Sequence, residues 1–116
     1  MKLVIDAGHG GYDSGAVGNG LVEKNLTLQI ARRVRDILTV NYPITIKMTR
    51  DSDVFISLSE RANIANAFSA DYFISFHFIL IAAGVQVLKV IFIMRYPIAA
   101  LHMQSNKKCI QLSILY

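Results

Sequence analysis

The chain has 116 residues, of which 53% are hydrophobic, and it carries a formal net charge of +4. This length allows one domain at most, and its single cysteine, Cys109, excludes an intrachain disulfide. A mildly basic balance suits an anionic polymer such as a cell wall or a nucleic acid and does not choose between them. The basic residues are scattered along the chain, so a solvated surface is the simpler interpretation of the charge.

Apolar residues are concentrated in residues 73–101, where Lys89 and Arg95 are the only formal charges. The apolar run that begins at Phe73 contains Ser75 and His77, and Lys89 ends it. A membrane span needs about 18–20 apolar residues. We therefore expect no stable membrane insertion, although a small membrane-associated protein built on this segment remains an alternative.

The first half of the chain begins with a strand and a long glycine-rich loop. Leu3–Ile5 shows no polar alternation, which is typical of a parallel strand covered on both faces. Asn25 is the predicted N-cap of the first helix, whose apolar residues recur at helical spacing. Pro43 ends this helix, since the residue before a proline avoids the α region.

A second strand, a helix and a third strand follow. The strands are predicted over Ile44–Met48 and Asp71–Phe76. Between them, Ser57 and Glu60 match a capping box, which predicts a helix through Ala67. The residues expected on one side of this helix are Leu58, Ala62 and Ala65.

The order β-α-β-α-β predicts an α/β fold with a parallel or mixed sheet and helices on both faces, left incomplete by an atypical C-terminal tail. Ligands of such sheets bind at the carboxyl ends of the strands. His9 follows the first strand, His77 closes the third, and Glu23 lies near the start of the helix that leaves this edge. Two imidazoles and a carboxylate form a zinc ligand set with an open fourth position, which suits hydrolysis by metal-activated water.

Each of these residues also has a simpler interpretation. His9 is then an exposed loop residue, Glu23 a helix-start charge favoured by the dipole, and His77 a satisfied core histidine. Asp6 either orients a ligand from a second layer around the metal or accepts backbone N–H bonds at the strand end. The glycine loop does not match a nucleotide-binding pattern, and no G-x-S-x-G nucleophile motif occurs.

Six segments within residues 2–77 together resemble one family, the zinc-dependent N-acetylmuramoyl-L-alanine amidases of bacterial autolysins and phage endolysins (type 3 catalytic domain). Their combination is more specific than any one of them alone. The segments are Val4–Gly11 (VIDAGHGG), Asp13–Gly18 (DSGAVG), Val22–Lys24 (VEK), Met48–Asp53 (MTRDSD), Leu58–Asn66 (LSERANIAN) and Asp71–His77 (DYFISFH).

The resemblance implies zinc as cofactor, with His9, Glu23 and His77 as its ligands. It implies peptidoglycan as the partner, cleaved at the amide between N-acetylmuramic acid and the L-alanine of the stem peptide. No nucleic-acid partner is expected, and the oligomeric state stays open. The family carries a catalytic glutamate on a late strand, whereas here no Asp or Glu follows Asp71. The catalytic and substrate-binding residues of this chain are therefore unknown.

The tail, residues 79–116, departs from the family pattern, and we expect residues 1–78 to form the N-terminal part of a catalytic domain. Joining the third base of each codon to the first two of the next, from Leu80 to Met94, permits the reading NSGGGTGFESYIYN, which resembles the family. This predicts a frameshift between His77 and Ala82. The product is expected to be truncated, weakly active or inactive, unstable and prone to aggregation, with a loose strand over Val85–Met94.

Two further expectations concern the chain's role. The alternative to an enzyme is a non-catalytic fragment that binds the cell wall or another protein. Met1 and Lys2 lead directly into the first strand, without the apolar segment of a signal peptide. We therefore expect synthesis in the cytoplasm and action on the cell wall after release or export by another route.

Overall fold

The computed structural model describes residues 1–80, 86–94 and 110–115. Within these ranges a mixed sheet has the strand order β4-β1-β5-β6-β7, and β2 and β3 form a separate antiparallel pair. The elements are β1 (Lys2–Ala7), β2 (Val17–Gly18), β3 (Leu21–Val22), α1 (Glu23–Asn41), β4 (Thr45–Met48), α2 (Leu58–Ala67), β5 (Tyr72–Leu80), β6 (Gln86–Met94) and β7 (Ile110–Leu115).

Strand β1 organises the sheet. It pairs in parallel with β4 on one side and with β5 on the other, where Ala7 lies opposite Phe76. The direction then reverses, because β6 pairs with β5 in antiparallel fashion, with His77 opposite Lys89, and β7 pairs with β6 in the same way. The carboxyl ends of β1, β4 and β5 therefore lie at one edge of the sheet.

The helices cover opposite faces of β1. Leu3 and Ile5 pack in one core cluster with Ala31 of α1, whereas Val4 packs in a second cluster with Ala62 of α2. All of β1 after Lys2 is buried, as a strand covered on both faces requires. The predicted α/β fold with helices on both faces of a mixed sheet is confirmed.

The start of α1 differs from the prediction. The helix begins at Glu23, its N-cap is Val22 and no side chain caps it, so the assignment of Asn25 as N-cap is wrong. The physical reason is that loop carbonyls already satisfy the first N–H groups. Glu23 donates its backbone N–H to Ala16 at 2.9 Å and Lys24 donates to the carbonyl of Ser14 at 3.0 Å. A polar cap side chain is therefore unnecessary.

Helix α2 begins as predicted. The Ser57 hydroxyl accepts a hydrogen bond from the backbone N–H of Glu60 at 3.2 Å, which confirms Ser57 as the N-cap. Ala62 and Ala65 are buried, whereas Leu58, predicted on the same side of the helix, is 71% exposed. Leu58 is the first helical residue, and the contact with the sheet is made by the two alanines further along.

The tail is described only in part. Strand β6, Gln86–Met94, corresponds to the strand predicted over Val85–Met94, and β7 was not predicted. The other tail residues, 81–85, 95–109 and 116, lie outside the described ranges. Within the part of the chain that the structure describes, no helix combines the length and the apolar character needed to cross a membrane.

Candidate metal centre

Three side chains that the sequence analysis selected meet at the carboxyl edge of the sheet. The distances are 2.9 Å from His9 Nε2 to Glu23 Oε1, 3.3 Å from His9 Nε2 to His77 Nδ1, and 3.5 Å from His77 Nδ1 to Glu23 Oε1. Glu23 is buried, and the two histidines are partly exposed. The topology therefore brings together residues that lie up to 68 positions apart in the chain.

The spacing of these atoms fits a tetrahedral ion. Zinc bonds of about 2.0–2.2 Å in tetrahedral geometry place the ligand atoms roughly 3.3–3.5 Å from one another. Two of the three distances, 3.3 and 3.5 Å, agree with this, and the third, at 2.9 Å, is somewhat shorter. The residues present thus offer one nitrogen-nitrogen-oxygen face of a tetrahedron, with the fourth position open.

The orientation of His9 supports the same conclusion. Its Nδ1 lies 2.9 Å from Asp13 Oδ2, so the tautomer that donates Nδ1–H to Asp13 leaves a lone pair on Nε2. That lone pair faces the carboxylate of Glu23, and two lone pairs at 2.9 Å repel each other unless a cation or a proton lies between them. The hydrogen bond with His9, together with the Gly15 N–H, outweighs burial and lowers the pKa of the Asp13 carboxyl.

Glu23 is held as an anion. Burial acts to raise its pKa, but hydrogen bonds with His77 and with the backbone N–H groups of Ala16 and Phe78 lower it to about 2. The two N–H groups bind different carboxylate oxygens, at 2.8 Å for Ala16 and 2.9 Å for Phe78. The carboxylate is therefore fixed in direction and ionised at neutral pH.

The backbone of His9 is strained and is held by an arginine. His9 has a φ of 62°, in the left-handed region that non-glycine residues rarely adopt. Arg61 Nη2 donates to the carbonyl oxygen of His9 at 2.8 Å, and its Nη1 donates to the carbonyl of Ala7 at 2.8 Å. The hydrogen bonds from this buried guanidinium to the loop carbonyls thus stabilise the strained backbone conformation of His9.

Asp6 is a hydrogen-bond partner of this arginine. Asp6 Oδ1 accepts from Arg61 at 2.7 Å and from Thr49 at 2.6 Å, and Oδ2 accepts from the Ser75 hydroxyl at 2.6 Å. The three groups that donate hydrogen bonds to Asp6 are all side chains. The His9 ring nitrogen that faces away from Glu23, Nδ1, is hydrogen-bonded to Asp13 and not to Asp6. The connection from Asp6 to the site therefore passes through Arg61.

A second arginine, Arg50, joins the two segments that carry His9 and Glu23. Its Nη2 donates to the carbonyl of Gly8 at 2.9 Å and to the carbonyl of Lys24 at 2.9 Å. These residues are the immediate neighbours of the two candidate ligands. No role at the site was predicted for Arg50, Arg61 or Asp13, although all three lie in segments that resemble the family. Only Asp13, four residues after His9 in a glycine-rich loop, carries a local signal.

Two glycines make room for the ligands. A Cβ added at Gly8 would lie 2.5 Å from His77 Cε1, and one added at Gly15 would lie 2.6 Å from Glu23 Oε2. Gly15 also has a φ of 65°, which favours glycine. The close packing of the three side chains therefore depends on these positions having no side chain.

Comparison with known proteins identifies the family. Residues 3–108 match the family described as N-acetylmuramoyl-L-alanine amidase, Amidase_3. The chain belongs to this family. Among curated amidase relatives, it is 56% identical over 77 residues to an endolysin of Bacillus phage SPP1, which covers 66% of this chain and 28% of that protein. It is 53% identical over 78 residues to a sporulation-specific N-acetylmuramoyl-L-alanine amidase of Bacillus subtilis, covering 66% and 31%.

Solved amidase structures share the fold. The N-acetylmuramoyl-L-alanine amidase AmiC2 of Nostoc punctiforme aligns with a TM-score of 0.67 and 42% identity, over 72% of this chain and 46% of that one. The catalytic domain of the amidase CwlV from Bacillus (Paenibacillus) polymyxa aligns with a TM-score of 0.67 and 38% identity, over 71% and 47%. The chain thus spans less than a third of these curated relatives and about half of these solved amidase chains.

Proposed function

We propose that the chain is the N-terminal part of a zinc-dependent peptidoglycan amidase. The bond acted on is the amide between N-acetylmuramic acid and the L-alanine of the stem peptide. The observation that carries the proposal is the open-sided triad of His9 Nε2, Glu23 Oε1 and His77 Nδ1, whose atoms lie within 4.8 Å of one another. Membership of the amidase family supports the choice of substrate.

The residues of the chain hold and orient this site. Zinc, when bound, supplies a Lewis acid for the amide carbonyl and lowers the pKa of a bound water. His9, Glu23 and His77 are the proposed ligands, and Asp13 fixes the tautomer of His9 through its 2.9 Å contact. The partly exposed histidines leave the site accessible from solvent.

We propose that this chain is weakly active or inactive. Among the 116 residues, no Asp or Glu follows Asp71, so these residues do not supply the late glutamate that the family resemblance implies. A positioned general acid or base contributes about 10²–10⁴-fold to a rate. Hydrolysis is therefore expected to fall by at least about 100-fold relative to an amidase that retains this glutamate.

The boundary near residue 78 and the frameshift in residues 79–116 are part of the same proposal. The curated relatives are similar over 77–78 residues, or 66% of the chain, a length that supports a boundary of this kind, whereas the family match extends over residues 3–108. The alternative reading frame over Leu80–Met94 supports a shift between His77 and Ala82. We propose that the protein acts on the cell wall after release or export, as the family resemblance implies.

A second candidate is a non-catalytic fragment that binds the cell wall. The same absence of acidic residues after Asp71 favours it, since binding needs no general base. In that case purified peptidoglycan would retain the protein without releasing stem peptides. A weakly active amidase still produces new alanine amino groups slowly, whereas a binding fragment produces none.

The test measures metal content and bond cleavage separately. The purified chain is loaded with zinc, dialysed and analysed by mass spectrometry, and new N-terminal alanine on peptidoglycan is labelled with dinitrofluorobenzene. We expect one zinc per chain, lost in His9→Ala and His77→Ala and retained in His102→Ala, the matched control at the third histidine of the sequence. Zinc retained in all three variants would overturn the ligand assignment. New alanine amino groups at the level of a fully active amidase would overturn the proposed loss of activity.

A further inference from the structure

An exposed aromatic pair includes a residue of the loop that carries His9. The rings of Tyr12 and Phe55 are stacked, with centroids 4.4 Å apart and an interplanar angle of 26°. Tyr12 is 84% exposed and Phe55 is 39% exposed, so one face of the tyrosine ring is open to solvent. Two large aromatic side chains that contact each other and still lie on the surface are informative, because the hydrophobic effect favours the burial of such groups. We call these two residues the aromatic shelf.

The aromatic shelf is held by polar contacts beneath it. Gly11, next to Tyr12, donates its N–H to Asp53 Oδ1 at 2.8 Å. Lys24 Nζ donates to Asp53 Oδ2 at 2.8 Å and to the carbonyl of Gly11 at 3.0 Å. The loop that carries Tyr12 and the loop that carries Phe55 are thus joined through one carboxylate and one ammonium group, which keeps the two rings in register.

The shelf is also tied to the metal-ligand loop. Tyr12 lies between His9 and Asp13, whose side chains are in contact. Three residues of extended chain span at most about 11 Å, so the Cα atoms of Tyr12 and His9 lie no further apart than that. The aromatic shelf and the first candidate ligand are therefore carried by the same loop.

We propose that the aromatic shelf binds a pyranose ring of the glycan strand on the sugar side of the scissile amide. This inference rests on the proposed function, which places an amino sugar on one side of that bond and L-alanine on the other. A pyranose ring offers a flat face of C–H groups that fits the open face of Tyr12, since stacking removes apolar surface of both from water. L-alanine offers only a methyl group, so the sugar is the matching partner.

The test is a titration with chitotetraose, the β-1,4-linked tetramer of N-acetylglucosamine, followed by calorimetry in the presence of EDTA. Chelation makes the result independent of metal and of hydrolysis. We expect Tyr12→Ala and Phe55→Ala to bind about three- to tenfold more weakly than the wild type, and Tyr12→Phe to bind equally well. Tyr42→Ala is the matched control, because Tyr42 is 57% exposed and follows the other end of the 19-residue α1.

The outcomes separate this inference from the proposed function. Equal binding by the wild type and both alanine variants, or no binding by the wild type, would overturn the sugar site. Saturable binding to phosphatidylglycerol vesicles with no binding to chitotetraose would overturn it in favour of a lipid surface. Sugar binding that depends on Tyr12 while zinc binding is absent would retain the sugar site and reject the metal-dependent function.

Discussion

Asp6 and Arg61 form a buried ion pair, with Arg61 Nη1 2.7 Å from Asp6 Oδ1. A buried pair of charges is stabilising only when the remaining donors and acceptors are also satisfied. Here Asp6 accepts further bonds from Thr49 and Ser75, and Arg61 donates to the carbonyl of His9. The pair therefore fixes the loop that presents the first candidate ligand.

We predict that Arg61→Ala lowers the free energy of unfolding by roughly 3–5 kcal/mol, because it leaves the Asp6 carboxylate buried without its partner. Urea denaturation followed by circular dichroism measures this change. Arg33→Ala, at an exposed arginine, is the control and should stay within about 0.5 kcal/mol of the wild type. The double variant Asp6→Asn with Arg61→Met should lose less than Arg61→Ala alone, and equal losses would contradict the pairing argument.

We predict that Gly8→Ala weakens zinc binding. The added methyl group would lie 2.5 Å from His77 Cε1 and 2.7 Å from the carbonyl oxygen of Phe76, so the imidazole must move away from the other ligands. Competition with a chromogenic zinc chelator should show a loss of affinity of about tenfold or more, comparable to that found when groups supporting metal ligands are removed. Gly20→Ala is the control for steric displacement, since nothing lies within 4 Å of its Cβ position, although its φ of 74° makes the substitution strain the backbone locally. A similar loss of affinity in both variants would refute steric displacement of His77.

We predict that the metal-free protein loses stability in acid through Glu23. Its pKa in the folded chain is about 2, below the ordinary value of 4.5, so the folded state favours the ionised form. The resulting stabilisation is complete above pH 4.5 and is lost as the pH falls towards 2. Urea titrations over this range should show a flatter dependence for Glu23→Gln than for the wild type and for Glu60→Gln, an exposed control. An unchanged slope in Glu23→Gln would contradict the assignment.

We predict that Ile37→Glu reduces aggregation of the chain. Ile37 is 54% exposed and lines an apolar groove of about 470 Å³ between α1 and Phe78 of β5. Exposed apolar surface of this kind promotes association. Light scattering at increasing concentration should show less self-association in Ile37→Glu than in Val40→Glu. Val40 is 84% exposed on the same helix and does not line the groove. Equal scattering by the two variants would exclude the groove as the cause.

The parts of the fold that depend on local chemistry could be predicted from the sequence. Ser57 and Glu60 mark the start of α2, because a capping box is a pattern of four consecutive residues and needs no distant partner. The convergence of His9 and His77 follows from the parallel order of the strands that carry them, since carboxyl ends of parallel strands share one edge. Element type and topology were thus sufficient to place two of the candidate ligands.

The parts that depend on distant partners could not be predicted. Asn25 has the side chain of an N-cap, but the carbonyls of Ser14 and Ala16 reach the first turn of α1 through the fold of the preceding loop. Arg50 binds carbonyl groups up to 43 residues away, and no property of an arginine in a sequence identifies such partners. Backbone acceptors carry no residue-specific signal, which is why no role for Arg50 could be predicted. The partner of Arg61, Asp6, lies 55 residues away in the chain, so that pairing could not be predicted either.

The placement of His77 on β5 comes from one side of that strand. Gly8 donates its N–H to the carbonyl of Phe76 at 3.0 Å, and Phe78 donates its N–H to Glu23 Oε1 at 2.9 Å. Both partners precede β5 in the chain, whereas β6 pairs along the opposite edge. The contacts that position His77 and Glu23 thus come from residues that precede β5, while the tail contributes Lys89 opposite His77.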